Sequence, residues 1–434
     1  MLEKLFKLKE NRTDVRTEVI AGITTFMTMA YIIFVNPDIL SATGMPFGAV
    51  MTATVVSAGL TTILGGFLAN YPYALASGMG LNAFFAFTVA SKAGWEAALG
   101  VVFLEGIVFL ILSLTGGINV IDAAIPKTLK RAVGVGIGFF IALIGAANAG
   151  LIQASPATII TRGNLSDKGP LLAIIGLLIT GVLMSLKVRG SMLIGILITT
   201  LIGIPMGVTQ ITGSIIGKPE SLAPIFLKMD LKGALSLGFM TIFSFWFVDV
   251  FDTVGTLMGT ASRANMLDEN GQLPRIKEAM TADAIGTCLG AALGTSTVTT
   301  YVESSAGIAE GGRTGLTAVV TGLLFLVSLI FAPLAGMIPS EATAPALIIV
   351  GVLMMLPVKE IDWDNFSDAL PAFITIAMMP FTYSISDGIA AGFVVYPIIK
   401  LATGRGKEVH WLVYVLGVLS VVHLAPGLFS FLGM

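Results

Sequence analysis

The feature that most limits what this chain can become is a long series of apolar runs, each near the length of a membrane crossing and separated by short polar loops. The runs lie at 19–37, 47–68, 73–90, 95–115, 131–150, 170–186 and 190–208; after a polar stretch they resume at 236–260, 280–293, 296–309, 314–336, 343–357, 369–385 and 388–403. A tail at 410–431 is apolar as well. A helical crossing needs ~20 apolar residues. The pattern therefore predicts an all-α polytopic membrane protein of about fourteen transmembrane segments. Composition agrees, since 55% of the 434 residues are hydrophobic and 12% charged, where soluble proteins carry about a quarter charged. Fifty glycines suit helices whose backbones approach closely.

Loop charge tests the crossing count, because basic residues collect on the cytoplasmic side of a membrane. With the N-terminus cytoplasmic, the outer loops receive only Lys92, Arg162, Lys168, Lys218, Lys228 and Lys232, and the other eighteen of the 24 Lys and Arg fall inside. A crossing missed or invented in the middle would scramble that split. Residues 1–18 read as a charged cytoplasmic lead-in without a small-residue cleavage site. The tail 404–434 holds either a fifteenth crossing or a segment lying in the interface. A net charge of −2 offers no basic stripe for nucleic acid. The one cysteine, Cys288, and two histidines, His410 and His423, leave no Cys/His metal cluster and no histidine for catalysis in the body of the chain.

Seven segments over 19–208 and seven over 236–403, joined by an extracytoplasmic loop at 209–235, are the odd number per half that an inverted repeat needs. FMTMAYIIFVNP from Phe26 is echoed by FMTIFSFWFVDV from Phe239, at an offset of 213 residues. In each half the third segment is irregular. YPYALASGMGLNAFFAF packs Pro72, Gly78 and Gly80 around Asn82, and GTSTVTTYVESSAGIAEGG is rich in Thr and Ser around Glu303. Interrupted segments at matching places in two halves point to a transporter binding site, because non-helical backbone at membrane depth must be buried or line a cavity. Each would aim a half-helix N-terminus, with its positive dipole end, at the midplane.

Ionisable groups at the bilayer centre cost ~2.5–3.5 kcal/mol even on permissive scales, which singles out Glu105, Asp249, Asp252 and Glu303. Asp249 and Asp252, three apart on one helical face in FVDVFDTVGTLMG, are followed by Thr256. Two close acids favour a shared proton, so Asp249 and Asp252 are candidates for proton coupling. Glu303, flanked by Tyr301 and Ser304, suits a flat heterocycle bearing N–H donors. Glu105 stands alone in VVFLEGIVFL and reads as a helix-packing residue. Asn82, by its place in the broken third segment, reads as a site residue.

On RTEVIAGITTFMTMAYIIFVNP, ALASGMGLNAFFAF, FVDVFDTVGTLMG and TSTVTTYVESSAGIAEGGRTGLTA, the chain resembles the adenine/guanine/hypoxanthine permeases, the azaguanine-type branch of the nucleobase permeases. The resemblance implies the seven-plus-seven fold of the uracil permeases, with core and gate domains and a short strand plus half-helix in the third and tenth segments. It implies Glu303 as the carboxylate holding the base, Asp249 and Asp252 as the acidic pair of the eighth helix, and Asn82 in the third segment. Taken with the residues flanking the two acids, the expected substrate-binding set is Glu303, Asp252, Asn82, Tyr301, Thr256 and Ser304. Gate-domain homodimers are also implied. The uracil branch has Glu at the position of Asp252 and His at that of Thr256, so the proposed relay histidine is missing here. The expectation is proton-coupled import of a purine base by alternating access across the cell membrane, with no cofactor beyond the coupling proton. Its rivals are a same-fold carrier of an anion or other small solute, a passive channel, and an intramembrane enzyme.

Overall fold

The computed structural model describes residues 2–211, 214–264, 266–269 and 272–425. Its frame is helical, and nine helices among the described residues are long and apolar enough to cross a membrane. The shortfall from the expected number has visible causes. Ser191–Met206 and Phe366–Thr382 are shorter, Ile276–Leu293 carries charge at its start, and the third and tenth segments are not continuous helices.

The first segment begins earlier than expected. Asp14 caps it by accepting the Thr17 N–H at 3.0 Å, so the helix Val15–Met29 takes in the last residues of the supposed lead-in, including Glu18. It breaks at Ala30 and Tyr31 and resumes as Ile32–Ser41. Glu18 is fully buried and sits at the start of the helix Gly315–Ser328. Its carboxylate accepts the backbone N–H of Arg313 at 2.8 Å and of Thr314 and Thr317 at 3.2 Å, and the Thr317 hydroxyl at 2.6 Å. An anion among the orphan donors of a helix N-terminus is electrostatically favoured.

The helices sort into two packed groups, a core and a gate. The core holds Val15–Ser41, Phe47–Ala69, Trp95–Thr115, Phe239–Arg263, Ile276–Leu293 and Gly315–Ser328 together with the broken segments; the gate holds Lys127–Asn148, Lys168–Ser185, Ser191–Met206, Ser340–Met354, Phe366–Thr382 and Ile385–Ala402. Pairings repeat across the halves. Phe47–Ala69 packs on Gly315–Ser328 as Ile276–Leu293 packs on Trp95–Thr115, and Lys168–Ser185 packs on Ser191–Met206 as Phe366–Thr382 packs on Ile385–Ala402. Gly138 and Gly351, separated by the same 213 residues as the Phe26/Phe239 echo, face each other where the fifth and twelfth segments cross. A Cβ on Gly138 would lie 2.8 Å from the Gly351 carbonyl oxygen, and one on Gly351 2.6 Å from that of Gly138. Two glycines meeting reciprocally let the gate helices touch backbone to backbone.

The tail helix Trp411–Leu424 returns along Ile385–Ala402. His423 Nε2 reaches Asp387 Oδ1 at 3.0 Å, at the far end of that partner. The tail therefore runs antiparallel beside its neighbour rather than across its end; the last residues of the 410–431 run lie outside the described residues.

Candidate functional site

The two irregular segments meet at the centre of the core. Thr-rich sequence around 298–300 and the Pro/Gly-flanked stretch before Met79 favour extended backbone over helix, and each forms a three-residue strand, Leu75–Ser77 and Val298–Thr300. The strands pair antiparallel with Ala76 opposite Thr299. Both are buried, so their free edges need partners, and side chains supply them. Thr62 Oγ1 donates to the Leu75 carbonyl and accepts its N–H, both at 2.9 Å. The Tyr301 hydroxyl donates to the Ser77 carbonyl, Ser304 Oγ accepts the Ala74 N–H at 3.0 Å, and Ser77 and Thr295 hydroxyls lie 2.9 Å apart. A Cβ on Gly78 would lie 2.6 Å from Thr299 Cγ2, so glycine is required where the first strand turns into its helix. From the strands leave Met79–Ala83, continued by a π-helical stretch Phe84–Ala90, and Ser304–Ala309.

In front of the strand pair lies a crevice between core and gate. On Phe239–Arg263 the residues Asp252, Gly255 and Gly259 are exposed although they sit in the middle and second half of a core helix. Nothing lies within 4 Å of a Cβ built on either glycine. Thr256, half-buried, shares this face. Across from it, Val302 is exposed and Glu303 half-buried at the turn into Ser304–Ala309. Glu303 Oε1 accepts the Tyr31 hydroxyl at 2.7 Å; its Oε2 takes no protein hydrogen bond among the described residues. The other end of the core–gate boundary is shut by aromatic rings. Phe243 and Phe247 of the core pack edge-on against Phe393 of the gate, with centroids 6.0 and 5.7 Å apart. Phe87 and Phe140 flank Tyr383, whose carbonyl accepts the Thr88 hydroxyl at 3.1 Å. Aromatic rings thus close the core–gate boundary toward the start of Phe239–Arg263, while Asp252, Gly255 and Gly259 farther along it stay exposed.

Behind the strand pair lies a second group of acids. Asp283 Oδ2 accepts the hydroxyls of Thr253 at 2.7 Å and Thr300 at 2.9 Å. Asp249 Oδ2 accepts Thr287 at 3.3 Å, and Glu105 Oε1 accepts Thr297 at 2.9 Å. All three residues are fully buried. Each keeps one oxygen with no partner: Oδ1 of Asp283, Oδ1 of Asp249 and Oε2 of Glu105. No ion pair links any of them to a basic side chain among the described residues.

The structure thus separates residues that sequence spacing had put together. Asp252, Thr256 and Glu303 border the crevice, whereas Asp249, although only three positions from Asp252, looks to Thr287 in the buried group. The hydroxyls of Tyr301 and Ser304 are engaged in holding the strand crossing. Asn82 is fully buried; its Nδ2 lies 3.4 Å from the Ser77 carbonyl, and its Oδ1 is unpartnered. Glu105, expected to serve packing, lies among the buried acids, where Thr297, just before the second strand, reaches it from the tenth segment. Two residues were missed. Asp283 carried the same signal as the others, an acid in an apolar run, but sat near the edge of that run. Tyr31 carried none, since one tyrosine among apolar residues does not announce its partner.

The profile of the Xan_ur_permease family, described as Permease family, matches residues 16–391. The adenine permease AdeP of Escherichia coli strain K12 is 44% identical over 98% of this chain and 96% of its own length. The guanine/hypoxanthine permease PbuG of Bacillus subtilis strain 168 is 46% identical over 97% and 99% respectively. Among solved structures, the transmembrane domain of a cyanobacterium bicarbonate transporter, BicA, superposes with a TM-score of 0.64 at 18% identity, covering 87% of this chain and 97% of that one.

Proposed function

The chain belongs to the Xan_ur_permease family and is a membrane transporter rather than an enzyme, and from that premise we propose that it imports purine nucleobases, with protons, by alternating access. The observation that carries the reading is Glu303, whose Oε2 is free to accept N–H groups in a crevice bordered by Asp252. The flat edge of a purine offers N–H donors in one plane, and a carboxylate is an acceptor only. Thr256 stands one turn from Asp252 to complete the polar rim, and Tyr301, Ser304 and Asn82 hold the two half-helices that frame the base. The relatives named adenine and guanine/hypoxanthine permeases support this substrate class.

Proton coupling draws on both acid groups. The cost of buried charge supports it for Asp249: a buried carboxyl with an unpartnered oxygen and no ion pair to a basic side chain among the described residues costs less neutral, carrying a proton, than as a carboxylate. Asp252, in the crevice, is where a proton would enter with the base. Loading the base and a proton together drives the core–gate rearrangement, because a ligand moves an equilibrium only by its differential affinity for the two states. We place the protein in the cell membrane with its N-terminus cytoplasmic, as loop charge suggests, and take a homodimer through the gate helices as its assembly.

The fold also serves a bicarbonate transporter, so an anion is the rival cargo. Two acids at the crevice oppose an anion and favour a neutral donor-bearing ring. The test is uptake of labelled hypoxanthine, guanine and adenine in cells lacking their own purine permeases, with xanthine, uracil and bicarbonate as competitors. Accumulation of a purine that collapses with a protonophore is expected. No uptake of any purine would overturn the substrate class, and accumulation indifferent to the protonophore would overturn proton coupling.

A further inference from the structure

Tyr31 has no part in the reading above, yet it touches the residue on which that reading turns. Its side chain is 1% exposed, and its hydroxyl meets Glu303 Oε1 at 2.7 Å and no other acceptor among the described residues. A buried phenol without a partner is costly, so this contact fixes the ring. The backbone is fixed on both sides of it. The Tyr31 carbonyl accepts Phe34 N–H at 3.1 Å and Val35 N–H at 3.0 Å, which start the helix Ile32–Ser41; the Glu303 carbonyl accepts Ala306 N–H at 2.9 Å at the start of Ser304–Ala309. A short charge-assisted bond therefore ties the break in the first segment to the break in the tenth.

A free glutamate side chain turns about three bonds, and its last torsion is a broad rotor. With Oε1 held by Tyr31, the carboxylate plane is set and Oε2 is the oxygen left facing the crevice. Oε1 still keeps a second lone pair, so both oxygens stay able to accept from the edge of a planar base. Tyr301 cannot stand in, because its hydroxyl is engaged with the Ser77 carbonyl. We propose that Tyr31 is a positioning residue for substrate selection: it aligns the Glu303 carboxylate against the donor edge of the base and does not itself touch the base. The inference rests on Glu303 being the base-holding carboxylate.

The test is Tyr31→Phe, which keeps the ring and removes the hydroxyl, measured with hypoxanthine uptake alongside Glu303→Gln and the double variant at matched membrane levels. A positioning role predicts that KM rises about tenfold, equivalent to ~1.4 kcal/mol, with the maximal rate within about twofold. It also predicts that Tyr31→Phe adds nothing to the loss in Glu303→Gln. An unchanged KM overturns the proposal, as does a double variant weaker than Glu303→Gln by the full single-variant factor, since either means that Tyr31 does not act through Glu303. If the unmodified protein takes up no purine, the substrate reading fails by itself. The same three variants are then compared by thermal unfolding of purified protein without ligand, where coupling between the two sites supports the Tyr31–Glu303 link and strict additivity overturns it.

Discussion

Two groups of acids lie on opposite sides of one pair of three-residue strands, and they differ in a single respect that decides what each can do. Asp252 and Glu303 look into a crevice, so an unused oxygen there can meet water or a base. Glu105, Asp249 and Asp283 are sealed behind the strands, and their unused oxygens meet nothing. The strand between them belongs to both. Thr300 bonds Asp283, and Glu303 follows three residues later. A change in the hidden group, through Thr297 or Thr300, therefore acts on the backbone that carries Glu303. A third acid shows what burial alone means. Glu18 is as buried as the hidden three, but four donors satisfy it, so it is scaffold.

The sharpest way to break this division is at Glu303. Glu303→Gln keeps the shape and the Tyr31 contact but replaces the charged acceptor with an amide that donates toward the base. Losing a charge-assisted contact and gaining a clash of donors should cost uptake about a hundredfold, with the protein still reaching the membrane in normal amount. Normal transport by this variant would move the binding site elsewhere.

Next in size is the hidden group. Asp283→Asn retains an oxygen for Thr253 and Thr300 while bringing its own N–H2, so it mimics a permanently protonated acid. Accumulation of base against its gradient should fall about tenfold, in the range of ordinary coupling energies, while exchange of labelled for unlabelled base across the membrane persists. Loss of accumulation and exchange together would assign Asp283 to binding instead.

Glu18 should separate from both. Glu18→Ala leaves the N–H groups of Arg313, Thr314 and Thr317 without their acceptor at a buried helix start. It should lower the stability of the purified protein by ~3 kcal/mol, with KM for the base unchanged in whatever protein remains folded. A raised KM would mean that the helix start is coupled to the site.

Much of this was legible in the sequence because membrane burial is harsh on polar groups. The apolar runs and the broken third and tenth segments follow from backbone and charge having nowhere to go in lipid, and the paired strands appeared where Gly, Pro and Thr clustered. Facing was not legible. Asp249 and Asp252 are three apart on one helix, yet Thr287 takes the one and leaves the other to the crevice, which depends on a helix 38 residues downstream. Glu105 looked solitary because its partner Thr297 lies in another segment, and Tyr31 met Glu303 only through the fold. Acids in apolar runs marked the place, but only the folded partners show which of them face the crevice and which are enclosed.

The smallest effect tests the same front-and-back distinction with no charge involved. Gly255 faces the crevice and Gly78 the strand pair. A Cβ on Gly255 meets nothing within 4 Å, whereas one on Gly78 lies 2.6 Å from Thr299 Cγ2. Gly255→Ala should leave uptake within about twofold and add up to ~1 kcal/mol of stability, the ordinary helix gain of alanine over glycine. Gly78→Ala must displace Thr299, whose hydroxyl lies 2.8 Å from that of Thr253, and so should disturb accumulation as well as stability. If the order reverses, with Gly255→Ala the damaging change, then core and gate close tightly on that face during the cycle, and the open crevice is only one of the two positions the helix must occupy.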